Sequence, residues 1–176
     1  GTDGWTRDTG TLDTQTAGSQ PGQGAHLRQV ETATGTVDYL SAPAKFLGDQ
    51  AVMFGGRISF DLDVDLVTGS FNTNSLGLLL EGGTGGGTVI EADIAFDPGA
   101  DWQSFEIPLD DRGSWRIQSA TTGQGAAAGD DVIADVLSNL TAVRVFADRV
   151  GGQEVTRLDN FVLSALPVKE PVLSSF

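Results

Sequence analysis

The run Arg57-Ile58-Ser59-Phe60-Asp61-Leu62-Asp63-Val64-Asp65-Leu66 constrains the fold more than any other feature of the chain. Apolar side chains at Ile58, Phe60, Leu62, Val64 and Leu66 alternate with Ser59, Asp61, Asp63 and Asp65. Successive side chains of a strand point to opposite faces, so this run predicts a half-buried strand with its acids turned to water. Asp61, Asp63 and Asp65 have the alternation of a calcium loop but lack its glycine and distal glutamate. At roughly 6.6 Å spacing on one strand face they would hold a cation only loosely, and a solvated acidic face is expected.

Similar short segments recur at 25–31, 76–80, 88–96, 103–109, 142–147 and 157–163, parted by Gly, Asp, Asn and Pro clusters. Many short strands with polar turns predict an all-β sandwich or barrel. The 24 glycines support a turn-rich design, and 39% hydrophobic with 19% charged residues is a globular composition. One helix is expected over 130–140, where Val132, Ile133, Val136, Leu137 and Leu140 recur at helical spacing behind Asp130 and Asp131. At 176 residues the chain fits one domain, with 1–166 as the sandwich and 167–176, carrying Pro167 and Pro171, as a linker. The glycine run at 82–87 lacks the lysine of a phosphate loop and reads as a hairpin loop.

Charge and composition exclude several partners. With 24 Asp and Glu against 10 Lys and Arg, the net charge of −14 repels nucleic-acid phosphates and anionic membrane surfaces. The absence of cysteine removes disulfides, thiol catalysis and thiolate-bound zinc. No segment approaches the ~20 apolar residues of a membrane span. A start at Gly1 without methionine is that expected of a fragment or processed product of a larger protein.

The segment from Asp38 through Tyr39, Leu40, Ser41, Ala42, Pro43, Ala44, Lys45, Phe46, Leu47 and Gly48, followed by Phe54-Gly55-Gly56-Arg57, resembles the signature of the laminin domain IV (laminin B) family. Gly4-Trp5-Thr6, Trp102, Pro108-Leu109, Trp115, residues 140–144 and Leu158-Asp159-Asn160 extend the resemblance over roughly residues 4–165. The motif also has a structural reading: Pro43 fixes a turn, Lys45 lays its stem on a sheet edge, Phe46 and Leu47 plug the core, and Gly48 permits a positive φ. Phe54 stands where the family usually has tyrosine, and 70–75 and 121–129 look like insertions. The resemblance implies an antiparallel β-sandwich related to galactose-binding-like jelly rolls, with no enzymatic activity. It also implies a secreted or cell-surface module used for spacing or binding, with polysaccharide a ligand by analogy.

Three sets of residues are candidates for a site. If Asp159 shares a strand face with Phe161 and Leu163, it points inward and needs a partner. That partner is a structural Ca2+, with Asp3, Glu31 and the carbonyls around Gly24 completing an oxygen cage as similar jelly rolls imply. The alternative is an arginine such as Arg28, or backbone N–H groups. The only tryptophans, Trp5, Trp102 and Trp115, supply flat faces for a sugar ring or pack in the core. Arg116, with Asp110, Asp111 and Arg112, offers hydrogen bonds to hydroxyls or forms a charged turn. The sole histidine, His26, has no nucleophile elbow nearby, and no pair of carboxylates is marked out for glycosidic hydrolysis. Asn139-Leu140-Thr141 is a formal glycosylation sequon.

Three functions follow. A non-catalytic carbohydrate-binding or adhesive module predicts an exposed aromatic beside polar groups. A spacer or protein-interaction module predicts three buried tryptophans. An enzyme predicts carboxylates clustered in a cleft, and is the least favoured.

Overall fold

The computed structural model describes residues 1–8, 10–15, 24–32, 37–72, 76–118 and 125–167. Most of the tail 167–176 and part of the 121–129 insertion therefore lie outside the described residues.

Two antiparallel sheets form a jelly-roll sandwich. The first has the order β1 (Thr6–Arg7), β4 (Tyr39–Ser41), β10 (Ala142–Phe146), β6 (Leu76–Gly82), β7 (Thr88–Asp93) and β9 (Arg116–Ile117). The second has the order β2 (Thr11–Gln15), β3 (His26–Val30), β11 (Gln153–Ser164), β5 (Arg57–Thr68) and β8 (Gln103–Pro108). The chain crosses repeatedly from one sheet to the other, with β2–β3 and β6–β7 kept as hairpins within a sheet, and each apolar stripe meets the other sheet across the core.

From β5, Ile58, Phe60, Leu62 and Val64 enter that core, facing Leu40, Leu78, Leu80, Ile90, Val143 and Val145 of the six-stranded sheet. Leu66 departs from the expected alternation: it is 44% exposed, because β5 runs on past the edge of the core and its register to β11 shifts at Gln153/Glu154. The acids depart too. Asp61 and Asp63 are each 8% exposed rather than solvated. Their face of the sheet is covered by side chains from neighbouring strands. Arg157 binds Asp63 and Asp65 at 2.6 and 2.5 Å, and Asp61 accepts from Ser104 Oγ at 2.5 Å and Asn160 Nδ2 at 2.6 Å.

The helix α1 (Asp130–Ser138) begins at Gly129, with Asp130 and Asp131 in the first turn where the helix dipole favours negative charge. Ile133, Val136 and Leu137 are buried. It ends before Leu140, whose N–H and C=O both pair with Gly48 at 2.8 Å. That pairing ties the helix exit to the signature turn. Within the turn, Ala44–Phe46 forms a 3-10 helix after Pro43, and Gly48 takes φ 88°. Lys45 Nζ sits 5.2 Å above the Phe46 ring and pairs with Asp3.

A bulge decides where Asp159 points. Pairing of β11 with β5 shifts between Asp159 and Val162, and Asn160 takes the left-handed conformation at φ 50°. Leu158 therefore enters the core, Phe161 packs against it from the other side of the bulge, and Asp159 opposes Asp61 on the outer face. The expected inward Asp159 is corrected by that one extra residue.

Candidate functional site

Alternation leaves the outer face of the six-stranded sheet to Tyr39, Ser41, Leu79, Glu81, Glu91, Arg144 and Phe146. Pairing aligns five residues into one row across the strands. Ser41 opposes Arg144, Arg144 opposes Leu79, Leu79 opposes Glu91, and Glu91 opposes Arg116. At ~4.8 Å between strands, the row spans roughly 19 Å.

The row is recessed. Leu79 is 3% and Glu91 5% exposed although both lie on the outward side of their strands. Arg144 pairs with Glu81 at 3.1 Å, and Arg116 pairs with Asp93 at 2.6 Å. Arg116 Nε lies 3.8 Å from Glu91 and makes no hydrogen bond. Burial raises the Glu91 carboxyl above its usual range, opposed by Arg116. At one end Tyr39 meets Phe146 edge-on at 5.6 Å. There Arg149, 1% exposed, stacks on Phe146 and Phe96 at 4.9 and 5.4 Å, and burial holds its pKa down to about 10. Chemically the face is a fixed sequence of guanidinium donors and carboxylate acceptors around an apolar floor, suited to hydroxyl groups.

The residues singled out by sequence are divided among four places. Arg116 lies in this row. Trp115 is 1% exposed in the core, its indole N–H donated to the Pro108 carbonyl at 2.7 Å, so its ring face is not available as a platform. Trp102, half-buried, stands edge-on to His26 at 5.4 Å on the outer side of the five-stranded sheet. Trp5, 7% exposed, lines a cavity of about 410 Å³ at one end of the sandwich, together with Asp3 and Asp159.

The four donors expected around calcium are not gathered. Gly24 precedes β3 at the cavity end, but the backbone N–H of Glu31 bonds the Glu154 carbonyl, five residues along β11 from Asp159. That is roughly 16 Å at the rise of a strand. There Glu31, 4% exposed, faces Asp148 and Asp38, and burial with their charge raises its pKa. Asp159 accepts the Asn160 N–H at 2.8 Å, while Arg28 binds Asp13 at 2.8 Å. Among the described residues no group of three or more His, Cys, Asp or Glu is disposed to hold a metal ion. Asp110 is engaged by Arg112 at 2.5 Å, as a charged turn.

Sequence reasoning passed over Arg144, Glu81 and Glu91. Alternation within 88–96 and 142–147 carried the signal for Glu91 and Arg144, but their meeting depends on strand order.

The chain matches the family model described as Laminin B (Domain IV) over residues 39–169. Among curated proteins none matches. The L4b domain of human laminin alpha-2 superimposes with TM-score 0.64 at 14% identity, covering 73% of this chain and 70% of that one. An exo-beta-agarase gives 0.63 at 13%, covering 93% of this chain and 24% of that one. A family 30 carbohydrate-binding module of a Clostridium thermocellum cellulosomal cellulase gives 0.50 at 15%, covering 86% and 80%. At such identities these likenesses show the fold. No helix of the described residues is long and apolar enough to cross a membrane. With its signature turn in place and the family match spanning most of its length, the chain belongs to the laminin B (domain IV) family.

Proposed function

We propose that the chain is a non-catalytic, extracellular glycan-binding module that seats a neutral polysaccharide across the outer face of its six-stranded sheet. The observation that carries this reading is the recessed row Ser41–Arg144–Leu79–Glu91–Arg116. It offers donors and acceptors at fixed spacing over a length that suits several consecutive sugar rings. Rigid sheet placement reduces the cost of ordering the site's own side chains on binding. The net charge of −14 disfavours acidic polysaccharides. Likeness in fold to a carbohydrate-binding module and to part of an exo-beta-agarase is consistent with it.

A second reading, a structural spacer, draws on the burial of Trp5 and Trp115. A neutral-glycan array followed by titration calorimetry separates the two. The glycan reading expects a hit whose affinity falls at least tenfold in Arg144→Ala and Arg116→Lys while the melting temperature holds. Absence of any hit with folded protein favours the spacer.

A further inference from the structure

The two sheets end in four edge strands: β1 and β9 of two residues each, β2 of five and β8 of six. An edge strand carries unpaired backbone groups that template a further strand unless proline, lysine, a bulge or a covering loop blunts it. The longest of the four, β8, pairs with β5 without a register shift. It has no lysine, and its one proline is its last residue.

Which backbone groups of β8 are open follows from its exit. The Leu109 N–H bonds the Gly56 carbonyl and the Leu109 carbonyl accepts from Gly55, both at 3.0 Å. Successive residues of an antiparallel strand turn their N–H and C=O to alternate sides, so Ile107, Phe105 and Gln103 also bond toward β5. Pro108, Glu106 and Ser104 face away from it. Pro108 agrees, since it has no N–H to offer β5 and its carbonyl accepts the Trp115 indole N–H at 2.7 Å. The N–H and C=O of Ser104 and Glu106 have no strand beside them among the described residues. Both side chains are exposed on the outer face, while Phe105, 5.5 Å from the Phe60 ring, is half-buried at the rim of the core.

These four open groups fit one self-complementary register. Centring a twofold axis on Glu106 would set two carboxylates opposite each other and leave Ser104 facing Pro108, which lacks an N–H. Centring it on Ser104 would need pairing by Trp102, where the chain bends. Centring it on Phe105 sets Ser104 of each copy opposite Glu106 of the other, makes four backbone hydrogen bonds and opposes no like charges. It also brings the two Phe105 rings together across the axis, and Arg57, 3.5 Å from Glu106, offsets the acid.

We propose that β8 is a dimerisation edge, to which β8 of a second copy adds in antiparallel register centred on Phe105. The two five-stranded sheets then run on as one. For a repeating ligand, the second contact made by such a dimer is intramolecular.

The test is sedimentation equilibrium of the whole chain at about 0.15 M and about 0.5 M NaCl. A contact this small is expected to give a dissociation constant on the order of 0.1 mM. Added salt should tighten it, because the net charge of −14 holds the copies apart. Glu106→Pro removes two of the four hydrogen bonds and should weaken association about tenfold or more. Its melting temperature should hold, since proline is tolerated where the N–H would face off the edge. Ser104→Lys sets a cation opposite Glu106 and should tighten association about threefold or more, and Ser138→Lys, the same charge change at the end of α1, should not match it. A monomer up to about 1 mM, a dimer that Glu106→Pro leaves unchanged, or equal gains from the two lysines overturns the proposal. Association that salt loosens points to attraction between opposite charges elsewhere, and overturns it as well.

Discussion

Arg157 reaches from β11 to β5 and binds Asp63 at 2.6 Å, with only 15% and 11% of the two side chains exposed. Its second branch holds Asp65 at 2.5 Å, where the carboxylate is 58% exposed. Removing one partner of a largely buried pair leaves the other charge stranded, at a cost of ~3–5 kcal/mol for full burial. The exposed Asp65 branch adds little. Arg157→Ala is therefore expected to destabilise by about 2–3 kcal/mol, which for a chain of this size lowers the melting temperature by roughly 5–10 °C. Differential scanning calorimetry checks it, and a fall below ~2 °C would show that water already screens the pair.

Glu154 sets a pH dependence. It is 2% exposed and accepts the Arg149 N–H at 2.9 and 3.0 Å and the Thr156 hydroxyl at 3.0 Å. Burial nevertheless pushes its carboxyl from the usual 4.5 up to about 7, with Glu31 and Asp148 adding like charge. The folded state thus holds this proton more tightly than the unfolded chain does. Its contribution is fully present below pH ~4.5, declines as pH rises toward 7, and is gone above the folded value. The swing is on the order of 3 kcal/mol. Urea unfolding at pH 5 and pH 8 should show a smaller difference for Glu154→Gln than for the parent. Parallel curves would mean that the carboxyl is ionised in the fold throughout.

Backbone crowding at Gly56 gives a third expectation. A Cβ there would lie 1.9 Å from the Ser164 carbonyl oxygen and 2.9 Å from Ala165 Cα. Both are main chain, so the end of β11 must move. Gly56→Ala should cost about 2–3 kcal/mol. At Gly99 the nearest atom is Asp97 Oδ1 at 3.5 Å, and Gly99→Ala should change stability by less than ~0.5 kcal/mol. Comparable losses in the two variants would argue against the clash.

Tryptophan emission tests the burial pattern. Trp5 and Trp115 are 7% and 1% exposed, while Trp102 is half-buried beside His26. Acrylamide should quench chiefly Trp102, so Trp102→Phe should remove most of the quenchable intensity. Retention of that intensity would place water at one of the other two indoles.

Much of the fold was legible in the chain because it rests on local periodicity. Alternation located β5, β11, β6, β8 and β10 within a few residues, and helical spacing found α1. The laminin B signature was legible as well, since Pro43, Gly48 and Gly56 each meet a backbone demand at their own position. The two-residue strands β1 and β9 were not, because two residues hold no period. Leu66 misled because alternation tells which face a side chain takes and not where the opposite sheet ends.

What the amino-acid order determined by itself was the class of fold, its family turn, its acidity and the faces of its long strands. Only the tertiary structure decided the sites. Asp159 was turned outward by a bulge held through a hydrogen bond between Asn160 and Asp61, 99 residues apart. Ser41, Arg144, Leu79, Glu91 and Arg116 became one row because strands as far apart in the chain as β4 and β10 lie side by side. The physical reason is common to both: side-chain direction along a strand is set by its neighbours in the chain, whereas the partners it meets are set by the register and order of the sheet.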